Sequence, residues 1–80
     1  MIELVYSSIE LRDMTGLPRE SIEPDSVRNV LRYIVKKYGK IAGKKAKSGL
    51  ITINGERIDN LDVMIPDDSI VSFFPFYGGG

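Results

Sequence analysis

The sequence predicts a small α+β domain in which one main amphipathic helix lies across a mixed sheet of four to five strands. Three observations carry that prediction. Residues 26–38 hold a helical apolar stripe, the flanking segments show strand-like alternation, and Asn54-Gly55 marks a tight hairpin. At 80 residues the chain has room for one domain and one core. Its hydrophobic content of 42% and charged content of 28% exclude disorder and collagen-like repeats.

The elements follow in order. In residues 1–7, Ile2, Leu4 and Tyr6 alternate with Glu3 and Val5, a period of two that marks a strand. Ser8 is placed to cap a short helical turn over 9–14, which Gly16 and Pro18 end. A weaker strand is expected within 19–23, before Pro24. In the main helix, Val27, Val30, Leu31, Ile34, Val35 and Tyr38 fall on one face, with Arg28, Arg32, Lys36 and Lys37 opposite. Asp25 or Ser26 supplies the N-cap oxygen, and Gly39 suits the left-handed position after the helix. Residues 40–48 show no hydrophobic periodicity and carry Lys40, Lys44, Lys45 and Lys47 with Gly43, which predicts a flexible basic loop. Residues 50–54 form a strand that returns through Asn54-Gly55 into a brief strand at 56–58. Pro66-Asp67-Asp68-Ser69 is a turn, and 70–76 is the last strand. For Val71 and Phe73 to share a core with Leu4 and Tyr6, the first hairpin must reach the last strand. That arrangement is a β-grasp, here a domain at 1–76 followed by a flexible glycine tail at 77–80.

The composition removes several chemistries. There is no cysteine and no histidine, so disulfides, thiol nucleophiles, Cys-ligated zinc and a histidine base are excluded. Asp59, Asp62, Asp67 and Asp68 lie near turns, where turn chemistry explains them better than a metal. No cofactor or metal is expected, and the chain is expected to act with a partner rather than as an enzyme. The formal charge is zero but unevenly spread. Residues 1–25 carry net −4, residues 26–50 carry eight bases and no acid, and residues 51–80 carry net −4. The basic stretch 28–47 reads as a solvated helix face plus a mobile loop, with an acidic partner surface as the functional alternative. No glycine-rich phosphate motif or interleaved aromatic accompanies it, so nucleic acid is not an expected partner. No run of 18 apolar residues is present and residues 1–25 lack a signal-peptide pattern, so a cytoplasmic protein without a membrane partner is expected.

The end of the chain carries the functional expectation. Alternation sends Val71 and Phe73 inward and Phe74 and Phe76 to the opposite sheet face, where with Tyr77 they form an aromatic docking surface. Gly78, Gly79 and Gly80 have no Cβ and can thread a channel too narrow for other residues. Four residues from Tyr77 reach about 13 Å when extended, at roughly 3.3 Å each. The special group at that end is the α-carboxylate of Gly80.

The stretch 68–80, with Phe73-Phe74-Pro75 followed at fixed spacing by Gly79-Gly80, resembles the ending of the small subunit of molybdopterin synthase. Ile53-Asn54-Gly55-Glu56 resembles that family's hairpin, and residues 24–38 its capped helix. The chain is also similar to the sulfur carrier of thiamine biosynthesis. Gly78 before the diglycine and the lysine-rich segment depart from the family's pattern. The resemblance implies a ubiquitin-like sulfur carrier. In that family an ATP-dependent activating enzyme, of the kind that serves ubiquitin, adenylates the terminal carboxylate, a sulfur donor converts it to a thiocarboxylate, and a larger synthase subunit or other acceptor enzyme receives the sulfur. Carriage of sulfur for thiamine or transfer-RNA thiolation, a ubiquitin-like modifier joined to lysines, and a β-grasp RNA-binding module stand as alternatives.

Overall fold

In the computed structural model, which describes residues 1–75, the first and last strands lie side by side at the centre of one five-stranded sheet. Strand β1 (Ile2–Tyr6) runs parallel to β5 (Ile70–Phe74), pairing Leu4 with Val71 and Tyr6 with Phe73. Strand β2 (Arg19–Ile22) pairs antiparallel with β1 on one side. On the other side β3 (Leu50–Ile53) pairs antiparallel with β5, and the two-residue β4 (Glu56–Arg57) closes the edge, giving the order β2-β1-β5-β3-β4. This is the predicted β-grasp, with five strands.

Local chemistry sets each boundary. Ser8 caps α1 (Ile9–Thr15), its hydroxyl accepting from the Leu11 amide at 3.3 Å, and Gly16 ends the helix at φ 78°. Ser26 caps α2 (Val27–Tyr38) by accepting from the Asn29 amide at 3.2 Å. Gly39 leaves that helix at φ 104°, ψ 168°, a conformation essentially reserved for glycine. Asn54 at φ 51° and Gly55 at φ 85° make the β3–β4 turn. Asn54 also holds the entry to β5: its Oδ1 accepts from the Ile70 amide at 2.9 Å, and its backbone amide donates to the Ile70 carbonyl at 2.8 Å.

Val27, Val30, Leu31 and Ile34 of α2 are buried against Ile2, Leu4, Tyr6, Ile51, Val71 and Phe73 of the sheet. Each such side chain contributes about 1.5–3 kcal/mol on burial. Val35, expected in the same stripe, is exposed. Its side chain faces a third helix rather than the sheet. Residues 40–48, expected as a flexible loop, form α3 (Lys40–Ser48), which packs on α2 through Ala42, Gly43 and Ala46. Its buried stripe consists of residues too small to register as an apolar face beside four lysines. Glycine at 43 lets the helices approach closely, because a Cβ there would run into Cγ2 of Val35 and force a shift. Lys45 pairs with Glu10 at 2.7 Å and ties α3 to α1.

Candidate functional site

The helices cover one face of the sheet and leave the other open. On that open face the register sets Phe74 against Leu50 and Ile70 against Glu3. Phe74 is 37% exposed, Leu50 40% and Ile70 45%, while Val5 and Ser72 fill the space between them and are partly covered. An ion pair of Glu3 with Arg19 at 3.2 Å rims the β1–β2 side. Three apolar side chains on a flat, rigid support have the composition of a docking surface. The expected outward placement of Phe74 holds, and so does the inward placement of Val71 and Phe73.

Beside Phe74 and Pro75 opens a cleft of about 750 Å³, lined by Leu50, Ile51, Ile58 and Leu61 and by the charged Lys47, Arg57 and Asp59. It sits where the chain leaves β5. Phe76, Tyr77, Gly78, Gly79 and Gly80, the remaining residues of the expected site, lie outside the described residues.

A second constellation was not foreseen. Strand alternation points Glu20 of β2 inward, in register with Leu4, and its carboxylate stands under α2. Tyr33 donates to Oε1 at 2.5 Å and Lys37 to the same oxygen at 3.0 Å; Tyr6 donates to Oε2 at 2.8 Å and Tyr38 at 2.5 Å. Burial alone would push the Glu20 carboxyl up. The hydrogen bonds from Tyr33, Tyr38, Lys37 and Tyr6 outweigh it and hold the group down at about 2. Burial and the adjacent carboxylate push all three phenols up. Lys37, bonded to Tyr33 and to Glu20, is held in its charged form and lies over the Tyr33 and Tyr38 rings.

The geometry decides what this cluster does. Each carboxylate oxygen already accepts two donors, and a group titrating near 2 is a poor base at neutral pH. The cluster is an anchor that clamps edge strand β2 and β1 onto α2. Its one sequence signal was the alternation of β2, which puts Glu20 on the same side as Ile22; a carboxylate so placed must find donors. It reaches the last strand through Tyr6, whose ring stacks on Phe73 at 5.9 Å, one residue before Phe74.

Among the described residues no group of three or more His, Cys, Asp or Glu side chains is placed to hold a metal ion. Among the same described residues no helix is long and apolar enough to cross a membrane. The described residues thus present an apolar surface and a cleft beside it, with their most strongly hydrogen-bonded carboxylate committed to structure.

The fold and this surface define a ubiquitin-like β-grasp protein with an exposed apolar patch beside the exit of its last strand. The sequence profile of the ThiS family matches residues 9–80, and the chain belongs to that family of ubiquitin-like sulfur carriers. No curated protein matches the sequence. Among solved structures, the chain is similar to the Amycolatopsis orientalis BexX/CysO complex, with 14% identity, 100% of each chain covered and a TM-score of 0.79. It is similar to the complex of subunits 1 and 2 of molybdopterin-converting factor from Helicobacter pylori 26695, with 19% identity, 99% of this chain and 97% of that chain covered and a TM-score of 0.72. It is also similar to small archaeal modifier protein 1 of H. volcanii, with 16% identity, 92% and 94% covered and a TM-score of 0.66. At these identities the likeness is one of fold.

Proposed function

We propose that this protein is a sulfur carrier whose reactive group is the α-carboxylate of Gly80, at the end of a glycine tail spanning residues 77–80. The observation that carries the reading is the family match, which runs through Gly78-Gly79-Gly80 rather than stopping at the folded domain. A carboxylate is a poor acyl donor because its oxygen leaves reluctantly. In the proposed sequence an ATP-dependent activating enzyme joins it to AMP and expels pyrophosphate. Sulfur at the oxidation level of sulfide, supplied as hydrosulfide or by a persulfide donor together with a reducing thiol, then displaces AMP, leaving a thiocarboxylate. With no histidine or cysteine of its own, the chain relies on the partner for every activating group. Phe74, Phe76 and Tyr77 dock the partner while the glycines enter its active site.

The acceptor we assign is the precursor of molybdopterin, held by a larger synthase subunit. The Phe73-Phe74-Pro75 ending and the fold shared with subunit 1 of the molybdopterin-converting factor complex support it. The protein, incubated with activating enzyme, ATP and a sulfur donor, is expected to gain the mass of one oxygen-for-sulfur exchange at Gly80. The loaded carrier is then expected to pass its sulfur to the pterin precursor on the large subunit. A second reading, a ubiquitin-like modifier, is favoured by the likeness to small archaeal modifier protein 1. The same incubation with cellular protein distinguishes it, since a modifier yields an isopeptide between Gly80 and a lysine.

A further inference from the structure

On the helical side of the molecule, away from the open sheet face, α2 and α3 enclose a groove of about 610 Å³. Leu31, Val35, Gly43 and Leu61 form its floor, and Ile41, 69% exposed, stands on its wall. Two rows of bases rim it: Arg28, Arg32 and Lys36 at four-residue spacing along α2, and Lys40, Lys44 and Lys47 along α3. No acid lines it. Among the described residues only Arg28 of the six has a carboxylate within ion-pair distance, that of Asp62 at 2.7 Å.

Six like charges around an apolar trough repel one another and leave aliphatic surface wet, an arrangement unfavourable for the isolated domain. We propose that this groove docks an acidic amphipathic helix of a partner protein, its apolar stripe on the floor and its carboxylates on the two basic rows. Charge complementarity selects the occupant: an apolar strip flanked on both sides by cations matches one flanked on both sides by anions. Single-stranded nucleic acid fits less well, because no aromatic side chain lines the groove to stack a base. A lipid surface fits less well, because Leu31 lies buried below the level of the charges, whereas an interfacial helix projects its apolar side chains into the bilayer. The close contact of Gly43 with Val35 draws the two helices together and sets the groove's depth. The proposal does not depend on sulfur transfer, since it uses neither Phe74 nor the glycine tail.

The test uses the full chain, isotope-labelled for backbone amide spectra, and a synthetic helical peptide of about four turns with leucines on one stripe and glutamates on both flanks. Amide shifts are expected to move in α2, α3 and around Leu61, with affinity falling as salt rises. Ile41→Asp and the pair Lys36→Glu with Lys44→Glu lie outside the core, and each is expected to weaken binding about tenfold or more. Unchanged shifts on the open sheet face verify that these variants fold. Equal binding of a scrambled peptide of the same composition would show charge alone at work and overturn the proposal. So would tighter binding in the groove by phosphatidylglycerol vesicles or single-stranded RNA, or peptide shifts centred on the sheet face.

Discussion

Glu20 shows how one side chain can decide the behaviour of a small domain. Its carboxyl is held near 2 in the folded protein against an ordinary value of 4.5. A depressed carboxyl contributes stability that is fully present above the unfolded value and is lost as pH falls from about 4.5 towards 2. The difference corresponds to roughly 3 kcal/mol at about 1.4 kcal/mol per unit, a large share of what so short a chain can have. Asp25, Asp62 and Asp67 are also held below the ordinary carboxylate range by their hydrogen-bond partners, so the wild-type curve alone does not isolate Glu20. Glu20→Gln is expected to lower stability by about 1–3 kcal/mol at neutral pH and to flatten the acid limb of Tm against pH. Parallel acid limbs for the two proteins would remove Glu20 from the account. Phe74 makes the complementary case. Because it is exposed on the open face, Phe74→Ala is expected to leave urea unfolding nearly unchanged and to weaken activating-enzyme binding by about 1–3 kcal/mol, measured by titration calorimetry. The outward position of Phe74 was legible from period-two alternation alone. The Glu20 clamp was not, because its donors are scattered over β1 and α2 and converge only in three dimensions.

At the level of elements, legibility followed side-chain size. Helix α2 carries large aliphatic residues at helical spacing, and its extent matched expectation at both caps. Helix α3 was missed because its buried face is Ala42, Gly43 and Ala46, whose hydrophobic signal is faint although their packing is close. Small residues on a lysine-rich background resemble a linker in composition, and only the neighbouring helix reveals their purpose. The α2–α3 contact gives a direct test. Gly43→Ala gains about 1 kcal/mol of helix propensity but forces a Cβ into Cγ2 of Val35, whose β-branched side chain is stiff in a helix. Overpacking of this kind costs about 1–3 kcal/mol, so a net loss is expected. Val35→Ala should suppress it. A double-mutant cycle by denaturant unfolding is expected to show a coupling of at least about 0.5 kcal/mol, and strict additivity would place the clash elsewhere.

For the molecule as a whole, the proposed function divides the labour between the β-grasp, which docks, and the residues that follow β5, which react. The β-grasp topology was legible because a single stripe on α2 requires one sheet, and Val71 and Phe73 reach that stripe only beside Leu4 and Tyr6. Under the proposed function, position at the end of the chain matters as much as composition. Removing Gly80 shortens the reach by about 3.5 Å, more than a near-attack geometry tolerates. The deletion is expected to leave Tm unchanged and to abolish ATP–pyrophosphate exchange with the activating enzyme. Exchange at the normal rate would refute the carboxylate of Gly80 as the reactive group.

The central β1–β5 pair has a consequence for how the protein is made. Glu3 waits for Ile70, and Tyr6 for Phe73, so the two innermost strands come from opposite ends of the described chain. A ribosome delivers β1, β2 and all three helices before the strand that joins them exists, and contacts this remote in sequence form late. The sheet closes only once β5 has emerged. A polypeptide interrupted before Ile70 therefore has no central strand and stays open to proteases. By the time a molecule of this protein has folded, translation has already brought it to the threshold of its glycines.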